Sequence, residues 1–166
     1  MQPVFVHPPR TGGSSIRRAW NLSAVEYRGH ELPEHPKPPL EWRYGFTRNP
    51  WDRVVSLWHH PIGGGCKVPF EEFVLGGFRA QNWGKPVEIM AAPTTDWLVG
   101  ADFVGRFENR ERDLFELATL LGRDVPRLHI GPSEDRRPYE EYYGAETRDY
   151  VAKFYEDDIL AFGYDF

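Results

Sequence analysis

One local pattern, a short apolar strand followed by a polar loop and a helix, occurs twice in the first third of the chain. Residues 3–7 form an apolar run that a Pro-Pro pair ends, and a short helix over 16–20 follows. Residues 43–47 form another strand, and Pro50 begins a helix with an apolar stripe at helical spacing. Strands that alternate with helices predict an α/β protein in three layers, with a mostly parallel central sheet flanked by helices.

The remaining sequence continues this alternation. The 166 residues have the length of one domain, and no linker or repeat divides them, so we predict a single domain over 1–166. Residues 76–95 show no regular pattern. The other predicted elements are strands at 24–27 and 102–107 and helices at 70–75, 108–121 and 146–162.

The charge of the chain disfavours two classes of partner. Its 25 acidic and 20 basic residues give a net charge of −5, which argues against binding to nucleic acid or to an anionic membrane. Sixteen of the basic residues are Arg, and seven of these lie among the first 60 positions. Arginine suits planar contact with phosphate-like anions, so a small anionic ligand or ordinary surface arginines account for this bias.

The cysteine content and the first residues of the chain indicate in which cellular compartment the protein is expected. Cys66 is the only cysteine, which excludes an intrachain disulfide and cysteine-based metal clusters and fits a reducing compartment. The first residues contain no long apolar stretch, so we expect neither a signal peptide nor a membrane anchor there. We therefore expect a soluble cytoplasmic protein.

The loop after the first strand has the composition of an anion cradle. Gly12 and Gly13 leave backbone N–H groups unobstructed, and the following helix points its N-terminus at the same place. The loop lacks the spacing of a Walker A motif. A tight turn before a helix capped by a serine is the alternative. The side chains that add donors are Arg10, Thr11, Ser14 and Ser15.

The loop after the strand at 43–47 offers a second anion site. Arg48 ends the strand, and Ser56 lies eight residues later on the helix. Ligands bind at the carboxyl ends of parallel strands, so a guanidinium and a hydroxyl there suit a separate phosphate. Alternatively, Arg48 pairs with Asp52 and Ser56 only packs.

Both loops resemble binding motifs of one family. Residues 5–16 resemble the 5′-phosphosulfate loop of sulfotransferases, and residues 46–56 resemble their 3′-phosphate motif. Residues 103–109 are similar to a segment of the carbohydrate-type branch. The resemblance implies a P-loop-NTPase-like fold, the donor 3′-phosphoadenosine 5′-phosphosulfate (PAPS) and the product 3′-phosphoadenosine 5′-phosphate (PAP). It implies sulfonyl transfer to a hydroxyl of a glycan or small molecule.

The resemblance also implies roles for individual residues. Arg10 through Ser15 would hold the 5′-phosphosulfate, and Arg48 and Ser56 the 3′-phosphate. Arg137, or its neighbour Arg136, would close over the nucleotide. Arg10 stands where the family usually has lysine, and it keeps the positive charge in a wider, planar group. Arg10 is therefore a catalytic as well as a donor-binding candidate.

The acceptor hydroxyl needs a base, and histidine is suited to this near neutral pH. His30, which follows Gly29, occupies the place of the base in some carbohydrate sulfotransferases. His35, Glu31 and Glu34 in the same loop are the alternatives. The family requires no catalytic metal, and we predict none here.

Three further expectations follow from the resemblance. The chain is short for the family, so a second subunit is a candidate for completing the acceptor site, and we carry a homodimer as a prediction. A soluble enzyme of bacterial or viral type fits better than a Golgi enzyme. A P-loop-type phosphotransferase or kinase and a non-catalytic nucleotide-binding protein stay as alternative functions.

Overall fold

The computed structural model describes residues 1–29, 32–63, 65–78, 87–128 and 136–166. They fall into two compact units, each with its own apolar core: Met1–Arg48 with Thr94–Gly131, and Asn49–Pro93 with Pro132–Phe166. The strands are β1 (Gln2–His7), β2 (Tyr27–Gly29), β3 (Glu41–Thr47) and β4 (Phe103–Arg106). The helices are α1 (Gly13–Ala19), α2 (Pro50–His59), α3 (Phe70–Leu75), α4 (Val87–Ala91), α5 (Thr94–Trp97), α6 (Arg110–Leu121), α7 (Ala145–Phe154) and α8 (Glu156–Phe162).

The described strands of the first unit form one parallel sheet in the order β2-β1-β3-β4. The prediction of a parallel α/β fold is confirmed. In the register, Phe5 of β1 pairs with Tyr27 of β2 and Tyr44 of β3. This pairing places β2 at Tyr27–Gly29, so the predicted strand at 24–27 was set too early.

Helical segments cover both faces of this sheet. On one face, Ile16 of α1 and Leu117 of α6 are buried with Phe5 in the core of the first unit. On the other face, Leu98 lies immediately after α5 and touches the position where Gly45 of β3 has no side chain. A Cβ at Gly45 would also lie 2.6 Å from the carbonyl oxygen of Val6, so only glycine fits there.

The second unit is built around α2, whose predicted apolar stripe is confirmed. Val54 and Val55 of α2 are buried in one core with Phe73 of α3 and Val151 of α7. A helix with an apolar stripe is stable only when that stripe is covered, and this core covers it. None of the helices within the described ranges has the length and hydropathy required to span a membrane.

Local predictions failed at three further places. The segment 146–162 forms two helices, because Tyr155 between them adopts non-helical angles of φ −108° and ψ 29°. Helix α4 lies within 76–95, where no regular structure was predicted, and α5 begins at the end of that segment and extends to Trp97. Helix α1 begins at Gly13, before the predicted start at residue 16, and its N-cap is Gly12 at φ 83° and not a serine.

Candidate anion-binding site at the carboxyl end of the first strand

The loop after β1 is held in a turned conformation. Arg10 and Gly12 have positive φ angles of 67° and 83°, and Thr11 between them is buried. The Thr11 hydroxyl donates to the carbonyl of Pro8 at 2.8 Å. A non-glycine residue at positive φ costs free energy unless its surroundings hold it, so this loop is a structured element. Ser14 is exposed and Ser15 half-buried at the start of α1.

The two loop glycines are required by close packing. A Cβ at Gly12 would lie 3.0 Å from the Phe107 ring, and one at Gly13 would lie 2.7 Å from Nε2 of His7. His7 is itself fixed, because its Nδ1 and the Tyr27 hydroxyl are 2.7 Å apart in a hydrogen bond. Burial raises the pKa of Tyr27, with Arg17 opposing the effect. The glycines therefore allow two rings to approach the loop backbone.

Arg48, directly after β3, connects the second motif to this loop. Its Nη1 donates to the carbonyl oxygen of Arg10 at 3.0 Å, and its guanidinium lies 4.0 Å from the centre of the Phe107 ring. The residue is only 7 % exposed. The first unit thus brings together Arg48 and the glycine loop, which are separated by 38 residues.

Phe107 and Arg110 belong to the same cluster, although no local pattern in the sequence marks either as a site residue. The Arg110 guanidinium lies 4.6 Å from the centre of the Phe107 ring. Its Nη1 is 3.6 Å from the place a Cβ on Gly12 would take. Burial, and then the charge of Arg48, lowers the pKa of Arg110. The only signal in the sequence was a cation at the start of a helix, where the macrodipole disfavours it.

In the second unit, the motif after Arg48 forms a helix start. Asn49 caps α2, because its Oδ1 accepts from the backbone N–H groups of Trp51 at 3.0 Å and Asp52 at 3.5 Å. The Asp52 carboxylate forms an ion pair with Arg136. Ser56 is buried on the same helix at 4 % exposure.

Two arginines of the first sixty residues have structural partners within their own units. Arg43, paired with Glu41, also donates to the Glu34 carbonyl at 2.8 Å. Arg53 is 2 % exposed and donates to the carbonyls of Met90 at 3.1 Å and Ala92 at 2.8 Å. These buried cations stabilise chain segments, so part of the arginine bias has a structural cause.

The predicted base and closing residues are placed as follows. His30 and Glu31 lie outside the described residues. His35 and Glu34 are exposed in the described part of their loop. Arg137 is exposed too, 3.6 Å from the Glu141 carboxylate and 4.7 Å from the centre of the Tyr142 ring.

The parallel sheet and the arginine-bearing glycine loop define a P-loop-like α/β protein with a candidate site for an anion. The Sulfotransferase family matches residues 40–165, and the chain belongs to that family. Membership supports sulfonyl transfer as the class of reaction, and the family generally uses PAPS and yields PAP. No curated protein and no solved structure shows significant similarity to the chain. The glycine loop precedes the matched residues and is an independent observation.

Proposed function

We propose that this protein transfers the sulfonyl group of PAPS to a hydroxyl of a glycan or small molecule. The observation that supports it best is the hydrogen bond from Arg48 to the Arg10 carbonyl, which joins the 3′-phosphate motif to the 5′-phosphosulfate loop. A bisphosphorylated nucleotide needs cationic side chains near both of its phosphates, and the contact between Arg48 and the Arg10 loop supports such an arrangement. The positively charged arginine side chains around the glycine loop, and the start of α1 that follows it, suit such an anion.

The residues of the loop would bind and orient the donor. Bound PAPS supplies an activated sulfonyl group on a phosphate leaving group. Backbone N–H groups over 12–15, the Ser14 and Ser15 hydroxyls and the Arg10 cation would hold the 5′ end and stabilise the charge on the departing phosphate. Thr11, whose hydroxyl donates to the Pro8 carbonyl, would support the loop in the conformation that binds the donor. Arg48 would bind the 3′-phosphate. Ser56 and Arg137 are assigned to the nucleotide by the family resemblance alone.

A base in the loop after β2 would accept the proton of the acceptor hydroxyl. His30 is the first candidate, with His35, Glu31 and Glu34 as alternatives. We further propose that residues 1–166 act as a single sulfotransferase domain, with a homodimer completing the acceptor site. The acceptor class and the cytoplasmic location belong to the same proposal.

The direct test is calorimetric titration of the purified protein with PAP, which needs no knowledge of the acceptor. We expect one site per chain, and no heat of binding with ATP in magnesium-containing buffer. If a folded sample does not bind PAP, the proposal is refuted. Magnesium-dependent binding of ATP would favour a phosphotransferase.

The base is tested by turnover of sulfate-labelled PAPS with a panel of glycans and small alcohols. His30→Ala should abolish transfer while PAP binding stays within twofold of the wild type, a margin of about 0.4 kcal/mol. His35→Ala tests the alternative histidine of the same loop. Loss of transfer in His35→Ala alone would move the role to His35, and full activity in both would favour a carboxylate.

A further inference from the structure

Arg110 is placed beside the glycine loop by the end of the sheet. It is the first residue of α6, and Phe107 just before it donates its backbone N–H to the Thr47 carbonyl at 2.8 Å. This pairing carries the Phe107 ring to Gly12. Arg110 lies over that ring, with Nη1 3.6 Å from the point that a Cβ on Gly12 would occupy.

The surroundings of Arg110 do not neutralise it well. Arg48 lies over the same ring, and its positive charge repels that of Arg110. Nε of Arg110 is buried and has no hydrogen-bond partner among the described residues. Glu111, the next residue in the chain, has a negative charge that attracts the Arg110 guanidinium. The N-terminal position on α6 adds an unfavourable interaction with the helix dipole.

An anion beside Gly12 would relieve each of these costs. It would separate two like charges, give the guanidinium a partner and favour the helix N-terminus. A guanidinium with unused donors also provides more binding energy than one already saturated, because no internal contact has to be broken.

We propose that Arg110 is a further anion-binding residue of the donor site and contacts the 5′-phosphate group of the nucleotide beside Gly12. The inference rests on the proposed function and deepens it. It assigns the two arginines to different phosphates of one nucleotide: Arg48 to the 3′-phosphate and Arg110 to the 5′-phosphate. A purely structural Arg110 would only pack on Phe107.

The test is calorimetric titration of three nucleotides, PAP, 5′-AMP and 3′-AMP, into the wild type and Arg110→Met. The variant keeps the length and the apolar stem of the side chain. We expect it to weaken PAP and 5′-AMP equally, by about tenfold or more, and to leave 3′-AMP within twofold. Arg110→Lys should recover part of the loss.

Arg112→Met is the matched control. Arg112 lies two positions further along α6, its side chain is 73 % exposed, and it pairs with Asp113. It should bind all three nucleotides like the wild type. Thermal unfolding without ligand shows whether Arg110→Met is folded, and Arg110→Lys serves as the second variant if it is not.

Equal binding of PAP by the wild type and Arg110→Met would overturn the inference and leave the proposed function standing. An equal loss for 3′-AMP and 5′-AMP would also overturn it, because Arg110 would then act through general packing. A wild type that ignores PAP would refute the proposed function. In that case inorganic phosphate decides: protection of the wild type but not of Arg110→Met against thermal unfolding supports the anion site, and equal protection refutes it.

Discussion

Replacing Arg48 tests the assignment of the 3′-phosphate. Arg48→Met removes the cation and keeps the length of the side chain. A charge-assisted contact with a phosphate contributes about 1.5–3 kcal/mol, so PAP should bind about 10- to 150-fold more weakly. The ligand 5′-AMP lacks the 3′-phosphate and should lose far less affinity. Arg48→Lys, which keeps the charge without the planar fork, should fall between the wild type and Arg48→Met.

The same substitution has a cost for folding that can be worked out from its contacts. Arg48 donates to the Arg10 carbonyl at 3.0 Å and lies over Phe107 at 4.0 Å, and it is almost wholly buried. One hydrogen bond and one cation–π contact together contribute about 1–3 kcal/mol. Arg48→Met should therefore lower the free energy of unfolding by that amount, which denaturant titration measures.

Calorimetry with PAP and 5′-AMP, run on samples shown to be folded, separates the two effects. If Arg48→Met weakens both ligands by the same factor, Arg48 acts by supporting the loop through the Arg10 carbonyl. If neither ligand is affected, the second motif is misassigned. Either result refutes the reasoning.

Three other substitutions test the structure around the site. Gly13→Ala places a methyl group against the fixed His7 ring and should lower both the melting temperature and PAP affinity; wild-type values for both would show that the loop has room. Arg53→Met leaves two backbone carbonyls and a buried carboxylate without their cation and should cost about 3 kcal/mol in urea unfolding, a figure that a loss under 1 kcal/mol contradicts. Burial acts to raise the pKa of Asp102, but hydrogen bonds from Lys37 and from a backbone N–H lower it below 3.8 overall. The stabilisation by this carboxylate is present above that pH and lost as pH falls through the lowered pKa, so Asp102→Asn should cost at most about 1 kcal/mol at pH 7 and progressively less as the pH is lowered through that pKa; a difference that does not shrink in acid would exclude ionisation as the cause.

Part of the site could be predicted because its signals are local. The apolar run before the Pro-Pro pair and the stripe of α2 depend on residues within one turn or one strand. Arg48 was predicted at a strand end for the same reason, and parallel strands place such ends at one edge. The Asn49–Pro50 sequence forms the helix start by its own side-chain and ring geometry.

Other features depend on residues far apart in the chain. The bounds of β2 follow from its pairing with β1. The break at Tyr155 follows from the burial of the Tyr155 side chain, whose hydroxyl donates to the Ala91 carbonyl at 2.7 Å. Local propensity contains neither contact, so the predicted strand was misplaced and the last helix was predicted as one piece.

The sequence by itself determined the α/β alternation, the family and the two motifs, because each is written in neighbouring residues. Only the tertiary structure placed Phe107 against Gly12 and brought Arg110 to the loop that begins a hundred residues earlier. Arg110 and Phe107 reach the glycine loop because β1, β3 and β4 are neighbours in that order in the sheet. Strand order is decided by burial and pairing across the whole unit. The physical environment of the site's arginines is therefore a property of the fold.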